Sequence, residues 1–210
     1  MQDQSFKNQG ISLVIFIALL LFTMVLHPAG GGFSYLSRAS GRIIITHSIA
    51  IAAIPFGCIG FWGLTKKLGI GNFFSIAALA FILLGLAAVL LAATANGIVL
   101  PVFIHKYRDA SPEFIESVKP ILNYNFSVNI AFDYIYTGTF CIAILFWSIA
   151  ILMTRRLASW IAYAGILLSA LSIGIIILGL ASRLQGLRIF FAAIILWILV
   201  VGMTMIKEKN

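Results

Sequence analysis

Charge is scarce in this chain. Charged residues make up 10% of it, against about 25% in soluble globular domains, and a soluble fold has no other way to cover its surface. Only six residues are acidic, so the net charge of +8 reflects missing carboxylates as much as basic ones. Cysteine is almost absent as well. Cys58 and Cys141 both lie within apolar runs and match no CxxC spacing, which excludes a disulfide framework and leaves buried thiols. Neither HExxH nor HxxxH occurs, and the glycines at 30–32 lack the lysine and strand context of a phosphate loop. No internal repeat is discernible. No basic patch alternates with exposed aromatics, which excludes nucleic acid as a partner. The pairs Lys66-Lys67 and Arg155-Arg156, with Lys207 and Lys209, instead stand at the ends of apolar segments, as membrane-interface anchors do.

What the chain has in abundance is long apolar sequence: 62% hydrophobic residues and a mean hydropathy of +1.11. Stretches of this length and composition read as membrane-spanning helices. The fold class is all-α, a polytopic integral membrane protein of six transmembrane helices in one bundle. The spans lie approximately at 11–27, 43–64, 73–100, 126–153, 157–181 and 187–206, and residues 1–210 form a single transmembrane domain. The first run shares features with a secretory signal peptide but is longer, and more spans follow, so it is read as a retained helix.

Residues 28–42 read as a Gly/Ser-rich loop. Pro55, two residues before Gly57, predicts a kink in the second span. Asn96-Gly97 and Pro101 mark a kink or the exit of the third. Ser111-Pro112-Glu113 reads as the start of a short interfacial helix at about 112–119, interrupted by Pro120. Gly165, Ser169, Ser172 and Gly179 place small residues on one face of the fifth span, where another helix can approach closely. Trp62 and Trp160 sit near span ends, as belt aromatics do. Six spans leave both termini on the same side. The 14 basic residues divide evenly between the two faces, so orientation rests on the paired basic residues beside short loops, which favour cytoplasmic termini.

One stripe breaks the apolar pattern. Asn125, Asn129 and Asp133 recur every four residues, followed by Tyr136 and Thr137, and on a helix they share one face. Asp133 is the only acidic residue inside a predicted span, where a carboxylate must be paired, neutralised or hydrated. Because spans alternate in direction, His27, His47, His105 and Asp133 all come toward one membrane face, and Arg183 and Arg188 arrive there too.

Several chemistries fit those residue types. A polar cavity formed by Asp133, Asn129, Tyr136, His47, Asn125, Asn96 and Arg183 suits a small or lipid-like ligand, for binding or transport. A zinc site from His27, His47, His105 and Asp133 suits a metal-dependent intramembrane hydrolase. Haem between His27 and His47 is a third arrangement. The alternative without chemistry is a structural or partner-binding subunit in which Asp133 fixes helix register through an ion pair. The residues name no cofactor and leave enzymatic activity open. Membrane lipids are the expected partners, together with a small-molecule ligand, and a homo-oligomer is compatible with everything above.

The segment FDYIYTGTFCIAILFWSIAILMTRRLASWIAYAGILLSAL, residues 132–171, resembles a group of small bacterial membrane proteins of unknown function. In that group a polar-started fourth helix leads through a short basic turn to a W-x-x-x-x-G entry into the fifth, here Trp160 to Gly165. The resemblance implies a six-helix fold and a bacterial inner-membrane location. It implies no activity and no catalytic residue.

Overall fold

The computed structural model describes residues 6–28, 31–177 and 184–207, the last segment with side chains from residue 191 onward. Among these residues every regular element is helical. The helices are α1 (Lys7–Leu26), α2 (Phe33–Leu68), α3 (Phe73–Lys106), α4 (Pro112–Thr154), α5 (Ser159–Ile177) and α6 (Leu184–Lys207). The first five are long and apolar enough to cross a membrane, and α6 contributes the shorter apolar stretch Phe191–Lys207.

Two connections differ from expectation. The loop anticipated at 28–42 is helical from Phe33 onward. Phe33, Leu36 and Ile43 turn one face toward Ile104, Val118 and Leu122, and this apolar cluster outweighs the weak helix propensity of the surrounding serines and Gly41. Ser40 helps by returning its hydroxyl to the Leu36 and Ser37 carbonyls at 2.9 Å. The short helix expected at 112–119 begins as anticipated, with the Ser111 hydroxyl accepting from the Phe114 amide at 3.3 Å, but it does not stop at Pro120. It runs on as part of α4. Residues on both sides of Pro120 are exposed, so the carbonyl that proline leaves unbonded faces outward, while Val118 and Leu122 hold the helix in register from the inner side.

Each helix packs on its neighbour in sequence, and α6 returns to α1, which closes a ring. The shape follows from length. At 1.5 Å per residue, α1 spans about 30 Å while α2, α3 and α4 reach about 50–65 Å. The three long helices continue beyond the α1–α2 connection and form their own small core from the Phe33 cluster. The main core fills the other part of the ring. At its centre Trp147 of α4 is fully buried, stacks on Phe61 of α2 (centroids 5.2 Å, planes 17° apart), and donates its indole N–H to the Thr65 hydroxyl at 3.2 Å. Trp197 does the corresponding work between α6 and α5, donating to the Ile161 carbonyl at 2.9 Å.

Close approach is built in with small residues, as the fifth span suggested. A Cβ on Gly165 would overlap the Ser148 hydroxyl, and Ser169 donates to the Cys141 carbonyl at 3.0 Å. Where α1 meets α6, a Cβ on Gly10 would come within 2.7 Å of the Gly202 carbonyl oxygen.

The helix ends follow ordinary capping chemistry. The Asn72 side chain caps α3 by accepting from the Phe74 amide at 2.9 Å, and Arg156 donates to the Lys67 carbonyl at 2.7 Å near the end of α2. At the end of α4, Arg155 takes a left-handed conformation, φ 52°, that glycine adopts at less cost. Arg155→Gly is expected to stabilise the protein by up to about 1 kcal/mol, read as a rise in the thermal midpoint in detergent. A fall in that midpoint shows instead that the arginine side chain is worth more than the strain.

Candidate functional site

The polar stripe of α4 meets a distortion in α3. Pro101 has no N–H, and its ring crowds the carbonyl four residues earlier, that of Gly97. The helix widens there into a π segment over Ala95–Val99, with the Leu100 amide bonded to the Ala95 carbonyl five residues back. Such bulges redirect side chains. Here the bulge sets Asn96 against α4 and Gly97 against α2, so close that a Cβ on Gly97 would overlap His47.

Asn96 then joins the α4 stripe in one directional chain of hydrogen bonds. The Asn125 amide donates to Asn96 Oδ1 at 2.6 Å, Asn96 donates to Asn129 Oδ1 at 2.5 Å, and Asn129 donates to Asp133 Oδ2 at 3.3 Å. Asn96 also donates to the Ala92 carbonyl at 3.1 Å. Tyr136, one turn beyond Asp133, lines the cavity beside the same carboxylate. Each amide passes an N–H to the next oxygen, so the chain ends with the Asn129 N–H donated to Asp133.

Across the ring stand the two histidines. His47 Nδ1 lies 2.8 Å from the Ile43 carbonyl and His27 Nδ1 lies 3.0 Å from the Pro28 carbonyl. A carbonyl only accepts, so Nδ1 carries the proton in both rings, and in the neutral imidazole Nε2 is an acceptor. The rings are 5.2 Å apart and tilted by 59°.

Between these groups lies a cavity of about 350 Å³, bounded by α1, α2, α3, α4 and α6. Its walls are apolar, and its polar lining consists of His27, His47, Thr23, Asn129, Asp133 and Tyr136. It sits where the main core gives way to the small core of the long helices. Asp133, Asn129, Tyr136 and His47 all line this cavity. Asn96 and Asn125 stand behind it as links in the amide chain. Arg183 lies outside the described residues, as does the side chain of Arg188.

His27 joins the cavity and His105 does not. His105 is exposed on the last turn of α3, and among the described residues no three His, Cys, Asp or Glu side chains converge where they could hold a metal ion. The metal centre that His27, His47, His105 and Asp133 offered as an alternative is therefore not brought together. The alternating direction of the helices brought these residues toward one end of the bundle without bringing them to one point. Haem between His27 and His47 fails for a different reason. The two rings are in mutual contact, leaving no slot for a porphyrin plane between them.

Sequence reasoning missed the apolar walls from α1 and α6, among them Phe16, Met24, Phe191 and Ile198. Nothing distinguished them from other apolar residues, because which face of an apolar helix borders a void is decided by its neighbours. Comparison with protein-family models, with curated proteins and with solved structures yields no match for this chain.

Proposed function

We propose that this chain is an integral membrane protein whose helix ring binds a small or lipid-like molecule in the cavity beside Asp133. The setting proposed is a bacterial inner membrane with both termini on the cytoplasmic face. The observation that carries the reading is the cavity itself: apolar walls from five helices around one cluster of fixed polar groups, the usual composition of a small-molecule site. Its volume of about 350 Å³ falls within the range of roughly 300–1,000 Å³ typical of such pockets. The amide chain supports the same reading, because it holds a carboxylate ready in a largely apolar setting, where an unsupported charge is costly.

The test is native mass spectrometry of the protein released gently from detergent. The expected result is an added mass matching one small or lipid-like molecule. Asp133→Asn and His47→Ala are each expected to weaken its retention about tenfold or more, since a hydrogen bond to a charged group contributes about 1.5–3 kcal/mol. Helical content and elution volume should stay unchanged. A bare polypeptide mass, with variants that alter only assembly, overturns the ligand reading in favour of a structural subunit.

A further inference from the structure

The binding reading can be taken one step further, to the chemical class of the ligand, by asking which hydrogen-bonding capacity of the cavity is already used. Thr23 donates its hydroxyl to the Leu19 carbonyl at 2.9 Å. His27 and His47 spend their Nδ1 protons on the Pro28 and Ile43 carbonyls. Asn129 gives an amide proton to Asp133, and its oxygen is taken by Asn96. Tyr136 lines the cavity beside Asp133, one turn along the same helix. Four donors are thus engaged within the protein and the Tyr136 hydroxyl stands beside Asp133, which leaves the second Asn129 N–H, while acceptors are more numerous: two imidazole Nε2 atoms, the Thr23 oxygen, and carboxylate lone pairs beyond the one that Asn129 uses. No lysine or arginine lines the cavity among the described residues.

We infer that the cavity takes a lipophilic amine, bound as its ammonium ion against Asp133. An ammonium brings three N–H donors and no acceptor, which answers a lining rich in acceptors. Its charge neutralises a carboxylate that otherwise stands in a mainly apolar pocket. Phe16, Phe140, Tyr136 and Phe191 also line the cavity, and aromatic rings attract a cation. The remaining walls suit an alkyl or aryl body. A carboxylate or phosphate head would meet acceptors and a like charge, and an alcohol would satisfy one acceptor without the charge. This inference rests on the proposed binding function and narrows it.

The experiment compares three probes of equal chain length, decylamine, 1-decanol and decanoate. Each is titrated at pH 8 into the full chain in phosphatidylcholine nanodiscs, with binding to empty nanodiscs subtracted. Decylamine is expected to bind at least tenfold more tightly than 1-decanol, with decanoate weakest. Asp133→Asn should cost decylamine about tenfold or more while changing 1-decanol less than twofold. Should decylamine and 1-decanol bind equally, or decanoate prevail, the amine assignment is overturned and binding in the cavity stands. Failure of all three to bind overturns both. The ranking of head groups on the unaltered protein decides the matter even if the variant does not fold.

Discussion

Replacing Trp147 with alanine is expected to lower the stability of the folded chain by about 3 kcal/mol. The indole is fully buried in the main core and stacked on Phe61. Removing it leaves a void between α2 and α4 whose lining loses its dispersion contacts. The Thr65 hydroxyl, itself fully buried, would lose the indole N–H that bonds to it. Soluble cores lose about 3–5 kcal/mol on Phe or Trp truncation. The lower part of that range applies here because helices in lipid associate through packing, without an added hydrophobic drive. Denaturant titration in mixed micelles, followed by circular dichroism, measures the effect. Trp147→Phe should recover much of the stacking but not the hydrogen bond. A Trp147→Ala protein as stable as the parent would show that the ring of helices is not held together where α2 meets α4.

Gly97→Val is expected to be at least as damaging, and locally different. A Cβ at residue 97 would overlap the Cβ and ring of His47. The Cβ is fixed to the α2 backbone, so His47 cannot simply swing aside, and α2 and α3 must separate. Overpacking costs typically about 1–3 kcal/mol when side chains can rearrange, and this contact leaves them little freedom to do so. The separation also moves His47 away from Asp133 and pulls Asn96 off the α4 stripe. The variant should therefore lose stability by about 3 kcal/mol and lose ligand retention in native mass spectrometry as well. Gly97→Ala should do both to a smaller degree. Trp147→Ala, by contrast, acts about four helical turns along α4 from Asp133 and should weaken the fold without selectively emptying the cavity. Full retention of stability and ligand in Gly97→Val would contradict the close crossing of α2 and α3.

The two substitutions fall on opposite sides of what can be read from sequence. The α4 stripe was legible because helical periodicity is local: residues four apart share a face whatever surrounds them. Asn125, Asn129, Asp133 and Tyr136 do line one face, with Asn96 joining Asn125 to Asn129, which bonds Asp133 directly. Pro101 and Asn96-Gly97 announced a disturbance in α3 for the same reason, since proline's missing donor is a property of the residue. Its form was not legible. A kink and a π segment both answer the loss of one hydrogen bond, and the contacts with α2 and α4 accompany the choice made here.

Other errors have a common source. Residues 33–42 and Pro120 carry signals for loops and breaks, yet both lie within long helices, because Phe33, Leu36 and Ile43 pack against Ile104, Val118 and Leu122. Those partners are distant in sequence. Likewise, alternation of spans put three histidines and Asp133 toward one end, but only His27 and His47 reach the cavity that Asp133 lines. Direction along the bundle axis follows from counting helices, whereas position around the axis depends on how each helix is rotated.

By itself, then, the sequence determined the helical class, the apolar character that suits a membrane, and the polar face of α4, since composition and periodicity act within a segment. Tertiary structure decided the ring order, the length of α2, α3 and α4, the π segment against His47, and which side chains enclose a void. Those depend on contacts between segments, and in a chain this uniformly apolar almost every helix face is chemically equivalent until a neighbour covers it.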